Sequence, residues 1–288
     1  MLPAGLSVNV DGMSTTTEPA NGWHWQEWAA EFAGTGLLLF AVVTAKDWFV
    51  RAGPPVSEIW IRVALVGAVA GLMIIAIAYS PLGRRSGAHL NPVVTLGLAL
   101  RGTVAAADLV GYPVAQVAGG IAGVAAARIW GPTVSGSAVR WAVIAPARWV
   151  GQPTAAVIEA AATAAMLAVV FGCLASASRA QLAAPAAGVL LAIAIAGLAP
   201  ISGAGFNPVR GLAPDVLAHW YLALWVYIAG PVTGALIAAG VVGRYEHRPV
   251  TGKLVHDPAI PCYMRCELPH AAALATERDG GSPAVLRR

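Results

Sequence analysis

The sequence predicts an all-α membrane protein in which six transmembrane helices surround two re-entrant half-helices. Three observations support this fold class. Hydrophobic residues make up 58% of the 288 positions and charged residues only 11%, which lies outside the range of soluble domains. Apolar runs of about 17 to 25 residues, long enough to cross a bilayer, occur six times. One eight-residue segment occurs twice, at Ser86–Val93 and Ser202–Val209, so the chain contains an internal repeat.

The apolar runs define three parts of the chain. They begin near Glu27, Ile61, Asp108, Ala155, Ala186 and Trp220. Each run is continuous, which indicates helices and not the alternating strands of a barrel. The membrane domain is therefore expected at residues 25–242, with repeat halves at about 25–130 and 155–242. Residues 1–24 are predicted to be a disordered cytoplasmic arm, and residues 243–288 a flexible cytoplasmic tail.

The distribution of basic residues predicts the orientation in the membrane. If the N-terminus is inside, eleven Lys and Arg residues fall in inner segments and six in outer loops. This bias predicts that both termini lie in the cytoplasm. The protein is expected to be a multi-pass protein of the plasma membrane. The net charge of +4 is not gathered on one face or in one run, so nucleic acid is not an expected partner.

The duplicated segment predicts the two half-helices. Its copies agree at six of eight positions and share Asn-Pro, where Asn is a favoured N-cap and Pro a favoured first helical residue. After Pro92 the apolar run ends at Leu100, and that length covers roughly 15 Å, half of the hydrocarbon core. Because three spans and a half-helix separate equivalent points, the second half is inverted. The half-helices therefore enter from opposite faces, and Asn91 and Asn207 are expected to meet near the centre.

From about Trp25 to Val242 the chain resembles the aquaporin (major intrinsic protein) family. The resemblance is carried by the paired Asn-Pro segments, Ala30-Glu31-Phe32, the approach Ser86–Leu90, Arg210 and Gly230-Pro231. The family usually has Asn-Pro-Ala where both copies here have Asn-Pro-Val. The resemblance implies a right-handed six-helix bundle with one pore per subunit, usually a homotetramer. It implies a passive channel for water and small uncharged solutes, without cofactor or enzymatic activity; no nucleotide loop or catalytic triad occurs in the sequence.

The Asn-Pro-Val motifs are expected to form the centre of the pore. Asn91 and Asn207 would cap the half-helices and offer their amide groups to a passing solute. Pro92 and Pro208 would begin the helices, and Val93 and Val209 would pack behind them. The two helix N-termini, each carrying about half a positive charge, would face each other and repel cations and protons. The preceding loops, rich in small residues, would present carbonyl oxygens to the solute.

Four residues are assigned to an outer constriction by their spacing within the family. They are Gly71, Ile195, Ala204 and Arg210. Water-selective members typically have a bulky aromatic residue and a His at the first two positions. Gly71 and Ile195 predict a wider opening that admits glycerol-like solutes or metalloid hydroxides beside water. A water-selective pore remains the alternative.

Two carboxylates are predicted to lie inside the membrane. Glu31 and Glu159 occupy equivalent places in the two halves. Intramembrane carboxylates are by default functional, and here they would be the proton sites of an inverted-repeat, proton-coupled transporter. The resemblance implies instead that each carboxylate accepts hydrogen bonds from the loop of its own half. The sequence is compatible with both roles.

His89 and a group of His and Cys residues in the tail are further candidate functional residues. His89 is expected to pack in the loop at the cytoplasmic mouth, and a pH gate is the alternative. The tail contains His256, Cys262, Cys266 and His270, spaced as His-x5-Cys-x3-Cys-x3-His. Two imidazoles and two thiolates can hold zinc or copper(I), and the thiol pair can hold a soft metalloid. The spacing matches no standard zinc finger, so a flexible tail with reduced thiols is the alternative.

Overall fold

The computed structural model describes residues 22–52 and 58–269. Within these ranges the chain is helical, with ten α-helices and no strand. The helices are α1 Trp25–Ala45, α2 Ile59–Tyr79, α3 Pro81–Ser86, α4 Pro92–Leu100, α5 Ala106–Ala126, α6 Gln152–Leu174, α7 Ala177–Ala180, α8 Ala183–Leu198, α9 Pro208–Ala218 and α10 Leu224–Tyr245. The predicted class, a helical membrane bundle with two half-helices, is confirmed.

Every predicted apolar run forms a helix, although the ends differ from those predicted. Among the described residues, five helices are long and apolar enough to cross a membrane: α1, α2, α5, α6 and α10. The remaining run forms α8, which has 16 residues and a length of roughly 24 Å. The last helix begins at Leu224, because the stretch from Trp220 to Ala223 forms a turn after α9.

The long helices pack in pairs that repeat between the halves. α1 packs along α5 in the first half, α6 packs along α10 in the second, and α2 packs along α8. Glycines allow the close approach at the first pair. A Cβ atom on Gly123 would lie 2.0 Å from the carbonyl oxygen of Gly36, and one on Gly119 would lie 2.1 Å from that of Phe32. The spacing of small residues in α5 therefore sets how closely these helices approach.

The two half-helices lie between the halves of the bundle. Both α4 and α9 pack against α5 of the first half and α10 of the second. Their N-terminal ends also contact each other. Three crossing helices, α5, α6 and α8, separate α4 from α9 in the chain. The two half-helices therefore enter from opposite sides, and their N-termini point at each other. The structure thus places the starts of both half-helices in the interior, as the repeat predicts.

The tail departs from the prediction for residues 246–269, which are called the tail segment below. This segment folds back over the end of the bundle that carries Ser86–Leu90. Thr251, Lys253, Leu254 and Cys266 are each at most 3% exposed. Backbone hydrogen bonds hold the segment in place; the bond from Leu254 N to Gly87 O measures 3.0 Å. The expected flexible tail is therefore wrong for these residues. Residues 1–21 and 270–288, including His270, lie outside the described ranges.

We expect Gly119→Ala to destabilise the fold, because the added Cβ atom meets a backbone carbonyl that cannot move without separating α1 from α5. The expected cost is about 1 to 3 kcal/mol. The measurement is the melting temperature of the detergent-purified protein. Gly172→Ala is the matched control, because nothing lies within 4 Å of its Cβ position in α6. Equal melting temperatures for the two variants would contradict the close-packing interpretation.

Candidate pore and its two mouths

The amide groups of Asn91 and Asn207 join the two half-helices at the centre. The side-chain oxygen of Asn91 accepts a hydrogen bond from Val93 N at 3.1 Å, and that of Asn207 accepts from Val209 N at 2.9 Å. Each residue thereby caps its own half-helix. Each amide nitrogen also donates across the centre, from Asn91 to Phe206 O at 3.0 Å and from Asn207 to Leu90 O at 2.9 Å. The halves are therefore joined reciprocally.

Asn91 and Asn207 also line a central cavity. An amide nitrogen carries two hydrogens, and the cross-centre bond uses one of them. The second hydrogen of each amide remains for a molecule in the cavity. The adjacent Pro residues occupy the first helical position of α4 and α9. Val93 and Val209 are 1% and 0% exposed, so they pack behind the motif, and Val209 fills the space beside Gly120.

Glu31 holds the loop before α4. Its carboxylate accepts hydrogen bonds from Ser86 Oγ at 2.7 Å, His89 N at 3.0 Å and Leu90 N at 2.7 Å. Gln116 Nε2 donates a further bond to it at 2.7 Å. Glu31 is fully buried, and its neighbours are donors of this loop and of α5. The arrangement fixes the loop backbone.

Glu159 makes the equivalent contacts in the second half. It accepts from Ser202 Oγ at 2.7 Å, Gly205 N at 3.1 Å and Phe206 N at 2.7 Å. Its side chain is also fully buried. The two carboxylates thus hold two loops of the same shape by the same three kinds of donor. The second half has no Gln in the place of Gln116, because Pro231 occupies the equivalent position of α10.

Two tyrosines that the sequence analysis did not single out complete this support. Tyr112 donates its hydroxyl to Ser86 O at 2.7 Å, and Tyr227 donates to Ser202 O at 2.6 Å. Both are 1% exposed. Tyr112 and Tyr227 each follow the Asn-Pro motif of their half by about twenty residues in the sequence. Aligning the two halves beyond the duplicated eight residues would have identified them, because each half has a Tyr at this distance from its motif.

The loops before the half-helices are bent by left-handed residues and are not simply extended. Ala88 and Leu90 have φ of 55° and 53°, and Ala204 and Phe206 both have 52°. Non-glycine residues rarely adopt this conformation, and it costs free energy at each position. The carboxylate hydrogen bonds described above hold these backbone positions.

Two cavities follow one another through the bundle. The inner one contains the Asn pair, is narrow and has a volume of about 90 Å³; the outer one is about 370 Å³. Four residues line both cavities and so mark the junction between them: Val42, Ile195, Ala204 and Arg210. Three of them had been assigned to the constriction from the sequence. Val42, on α1, was missed because nothing in its local sequence distinguishes it from other apolar residues of a membrane helix.

Gly71 is not among the residues that line either cavity, which corrects its assignment to the constriction. A Cβ atom there would lie 2.3 Å from the carbonyl oxygen of Gly188, so Gly71 faces α8 at a helix contact. On α2 the inner cavity is lined by Ala70 and Ile74, and the outer cavity by Val66 and its neighbours toward the start of the helix.

Arg210 lies at the junction with its guanidinium group held by the loop between the halves. Its Nη1 donates to Ala142 O at 2.7 Å. Ala142 ends a run of three residues with positive φ, Arg140 to Ala142, which aims this carbonyl at the guanidinium. The end of the bundle that carries the outer cavity is called the Arg210 mouth below.

His89 lies at the opposite end, called the His89 mouth below. Its Nδ1 is 3.0 Å from Thr95 Oγ1 and its Nε2 is 2.8 Å from Gly252 O of the tail segment. The side chain is 3% exposed and lines the inner cavity. Both ring nitrogens are thus engaged, one with Thr95 of α4 and one with the tail segment.

Three of the four tail residues predicted as metal ligands lie together. The candidate ligand atoms of His256, Cys262 and Cys266 are all within 4.8 Å of one another. His270, the predicted fourth ligand, lies outside the described residues. The hydrogen bond between the two thiols lowers the pKa of Cys266, and the same hydrogen bond raises the pKa of Cys262.

Known proteins of similar sequence point to the same kind of molecule. A sequence model of the major intrinsic protein family matches residues 18–242. Aquaporin NIP1-3 of Oryza sativa subsp. japonica is 37% identical over 229 residues, covering 78% of this chain and 76% of that protein. Glycerol uptake facilitator protein-like 6 of Lactiplantibacillus plantarum is 31% identical over 223 residues, covering 74% and 95%.

A solved structure has the same fold. The chain superposes on the X-ray structure of the aquaglyceroporin from Plasmodium falciparum with a TM-score of 0.62, covering 77% of this chain and 95% of that one. The identity of 19% restricts this likeness to the fold. Together with the family match over most of the chain, it confirms the resemblance inferred from the duplicated Asn-Pro segments. The chain belongs to the major intrinsic protein family of membrane channels.

Proposed function

We propose that the protein is a passive channel for water and small uncharged solutes, with glycerol-like polyols among them. The observation that carries the proposal is the central pair Asn91 and Asn207, whose amides cap facing half-helices inside a narrow cavity. Each amide keeps one hydrogen for the cavity, so a passing oxygen atom finds a donor at the centre. A chain of small neutral molecules can then cross without a charged binding site.

The junction of the two cavities supports a pore wider than a water-selective one. Among the described residues that line both cavities, three are aliphatic and one is Arg210. An aliphatic wall suits the carbon chain of a polyol, and the guanidinium suits its hydroxyl groups. The name of the Lactiplantibacillus plantarum relative, a glycerol uptake facilitator-like protein, points to the same class of solute. Metalloid hydroxides have a similar size and hydroxyl pattern and belong to the same proposal.

Exclusion of cations and protons follows from fixed positive charge. The N-termini of α4 and α9 each carry about half a positive charge, and both point at the central cavity. Arg210 adds a whole charge at the junction. A cation would meet positive potential at both places, and no carboxylate is among the described residues that line either cavity.

The hydrogen bonds of Glu31 and Glu159 also argue against a proton-coupled transporter. A coupling carboxylate must bind and release protons during transport. Here each carboxylate accepts hydrogen bonds from two backbone N–H groups, which can only donate, and from one Ser hydroxyl. Protonation would break the loop support on which the Asn pair depends. The two residues are therefore proposed as loop-supporting residues.

The assembly and location complete the proposal. We propose a homotetramer in the plasma membrane, with both termini and the His89 mouth in the cytoplasm. The excess of basic residues in the inner segments supports this orientation. Large exposed apolar side chains on α1, α2, α5, α8 and α10 suit contact with lipid or neighbouring subunits.

We expect Ile195→Trp to lower glycerol permeability by about tenfold or more and water permeability much less, because the larger ring narrows the junction. The measurement is stopped-flow light scattering of proteoliposomes under glycerol and sucrose gradients. Ile193→Trp is the matched control on the same helix, since Ile193 is 63% exposed and faces away from the pore. A wild-type protein that passes water without any glycerol response would instead favour the water-selective alternative.

We expect the flux of water and glycerol to be unchanged by a pH gradient across the vesicle membrane. We expect Glu31→Gln and Glu159→Gln each to destabilise the protein by about 2 to 4 kcal/mol, because the amide presents hydrogens to buried donors. Melting temperature and flux per folded protein are the two readouts. Glu58→Gln, at an exposed residue before α2, is the control. The channel proposal would be contradicted if a proton gradient drove solute uptake and if well-folded Gln variants lost that uptake.

A further inference from the structure

The three clustered tail residues have the geometry of a metal site. His256 Nδ1 and Cys266 Sγ are 3.4 Å apart, and Cys262 Sγ is within 4.8 Å of both. In tetrahedral zinc sites, Zn–S bonds of about 2.3 Å and Zn–N bonds of about 2.0 to 2.1 Å place such atoms about 3.6 Å apart. The observed separation is thus close to that of ligands on one ion. Small movements of Cys262 would complete the set.

The surroundings of the cluster orient it as a ligand set. His256 Nε2 lies 3.1 Å from Pro269 O, so this nitrogen carries the hydrogen and Nδ1 presents its lone pair to Cys266. A backbone carbonyl on the second ring nitrogen is the usual support of a metal-binding His. Two thiolates and one imidazole suit Zn²⁺, whose coordination has no preferred geometry from d electrons.

Leu254 lies in the His89 mouth, two residues before His256. Its side chain lines the inner cavity together with His89. It also lines a second cavity, which is bordered by His256, by the end of α2 and by α7. Within residues 22–52 and 58–269, Leu254 is the one residue that borders both. The apolar side chain therefore separates the pore from the space beyond it at this end.

The tail segment folds back on itself and so has two arms, one up to His256 and one from Cys262 onward. Both arms are anchored near Leu254. Lys253, which is 2% exposed, donates from Nζ to Arg84 O at 3.0 Å, and the amide of Leu254 donates to Gly87 O at 3.0 Å. Thr251 pairs with Cys266 across an antiparallel bridge. His256 lies on one arm, and Cys262 and Cys266 lie on the other. An ion bound by all three would tie the two arms together close to Leu254, which lies two residues before His256.

We propose that His256, Cys262 and Cys266 form a Zn²⁺ site, and that the bound ion holds Leu254 in the His89 mouth and lowers conduction. The fourth position of the ion is left to water or an added ligand, as in open zinc sites. The site itself stands independently of the channel function. The closure of the mouth rests on the proposed function.

The binding step is tested on the full-length, detergent-purified protein kept reduced. We expect one Zn²⁺ per chain by titration, and thiolate-to-metal absorption with Co²⁺ as a spectroscopic probe. Cys266→Ser should weaken binding by more than the roughly 10- to 100-fold loss that follows changes around a metal site. Cys173→Ser is the control, since this cysteine lies in α6. Equal binding by wild type and Cys266→Ser would overturn the site.

The closure is tested by glycerol flux into proteoliposomes, with Zn²⁺ or with a chelator in the medium on both sides. We expect a several-fold lower flux with Zn²⁺ for wild type and Cys173→Ser, and no change for Cys266→Ser. Leu254→Ala should still bind Zn²⁺ but keep its flux, because the ion then fixes a segment that no longer fills the mouth. Bound Zn²⁺ without any effect on wild-type flux, or full inhibition of Leu254→Ala, would overturn the closure.

These outcomes separate the two proposals. If chelator-treated wild type and Leu254→Ala pass neither water nor glycerol, the proposed channel function fails while the metal titration still decides the site. If both conduct and Zn²⁺ does not bind, the channel stands and the site fails.

Discussion

The hydrogen bonds that two buried carboxylates accept from two loops are the interaction on which the pore depends. Four non-glycine residues of these loops hold left-handed backbone conformations, which are unfavourable for side chains with a Cβ atom. Glu31 and Glu159 stabilise them by accepting from the loop amides and from one Ser in each loop. Only with the loops bent in this way do Leu90 O and Phe206 O reach the opposite Asn. The half-helix ends and the central donors follow from that geometry.

Close helix packing supplies the frame for these loops. Glu31 is on α1 and Gln116 on α5, so the carboxylate and its extra donor reach the loop only if the two helices approach closely. The glycines of α5 permit that approach. This polar network inside a membrane is favourable because both carboxylates and the loop amides that they hold find partners within the protein. Packing and polar support are thus two parts of one arrangement.

The sequence predicts the features that recur in it and misses those formed by distant contacts. The duplicated Asn-Pro segments predict the half-helices, because N-cap and first-turn preferences are local and occur twice. Gly71 was misplaced because each residue turns a helix by about 100°, so an error of one position moves a side chain from the pore wall to a neighbouring helix. Ala70, one residue earlier, lines the cavity instead. The tail segment was expected to be flexible because its anchors, such as Gly87 and Thr103, lie far from it in the sequence.

The reciprocal bonds between the two Asn residues and the opposite loops also bear on how the molecule is made. The carbonyl of Leu90 receives its donor from a residue 117 positions later in the chain. Neither loop can therefore complete its own hydrogen bonds when its half folds alone. The centre of the bundle closes only after both halves have been synthesised and docked, so neither half alone can form the permeation path.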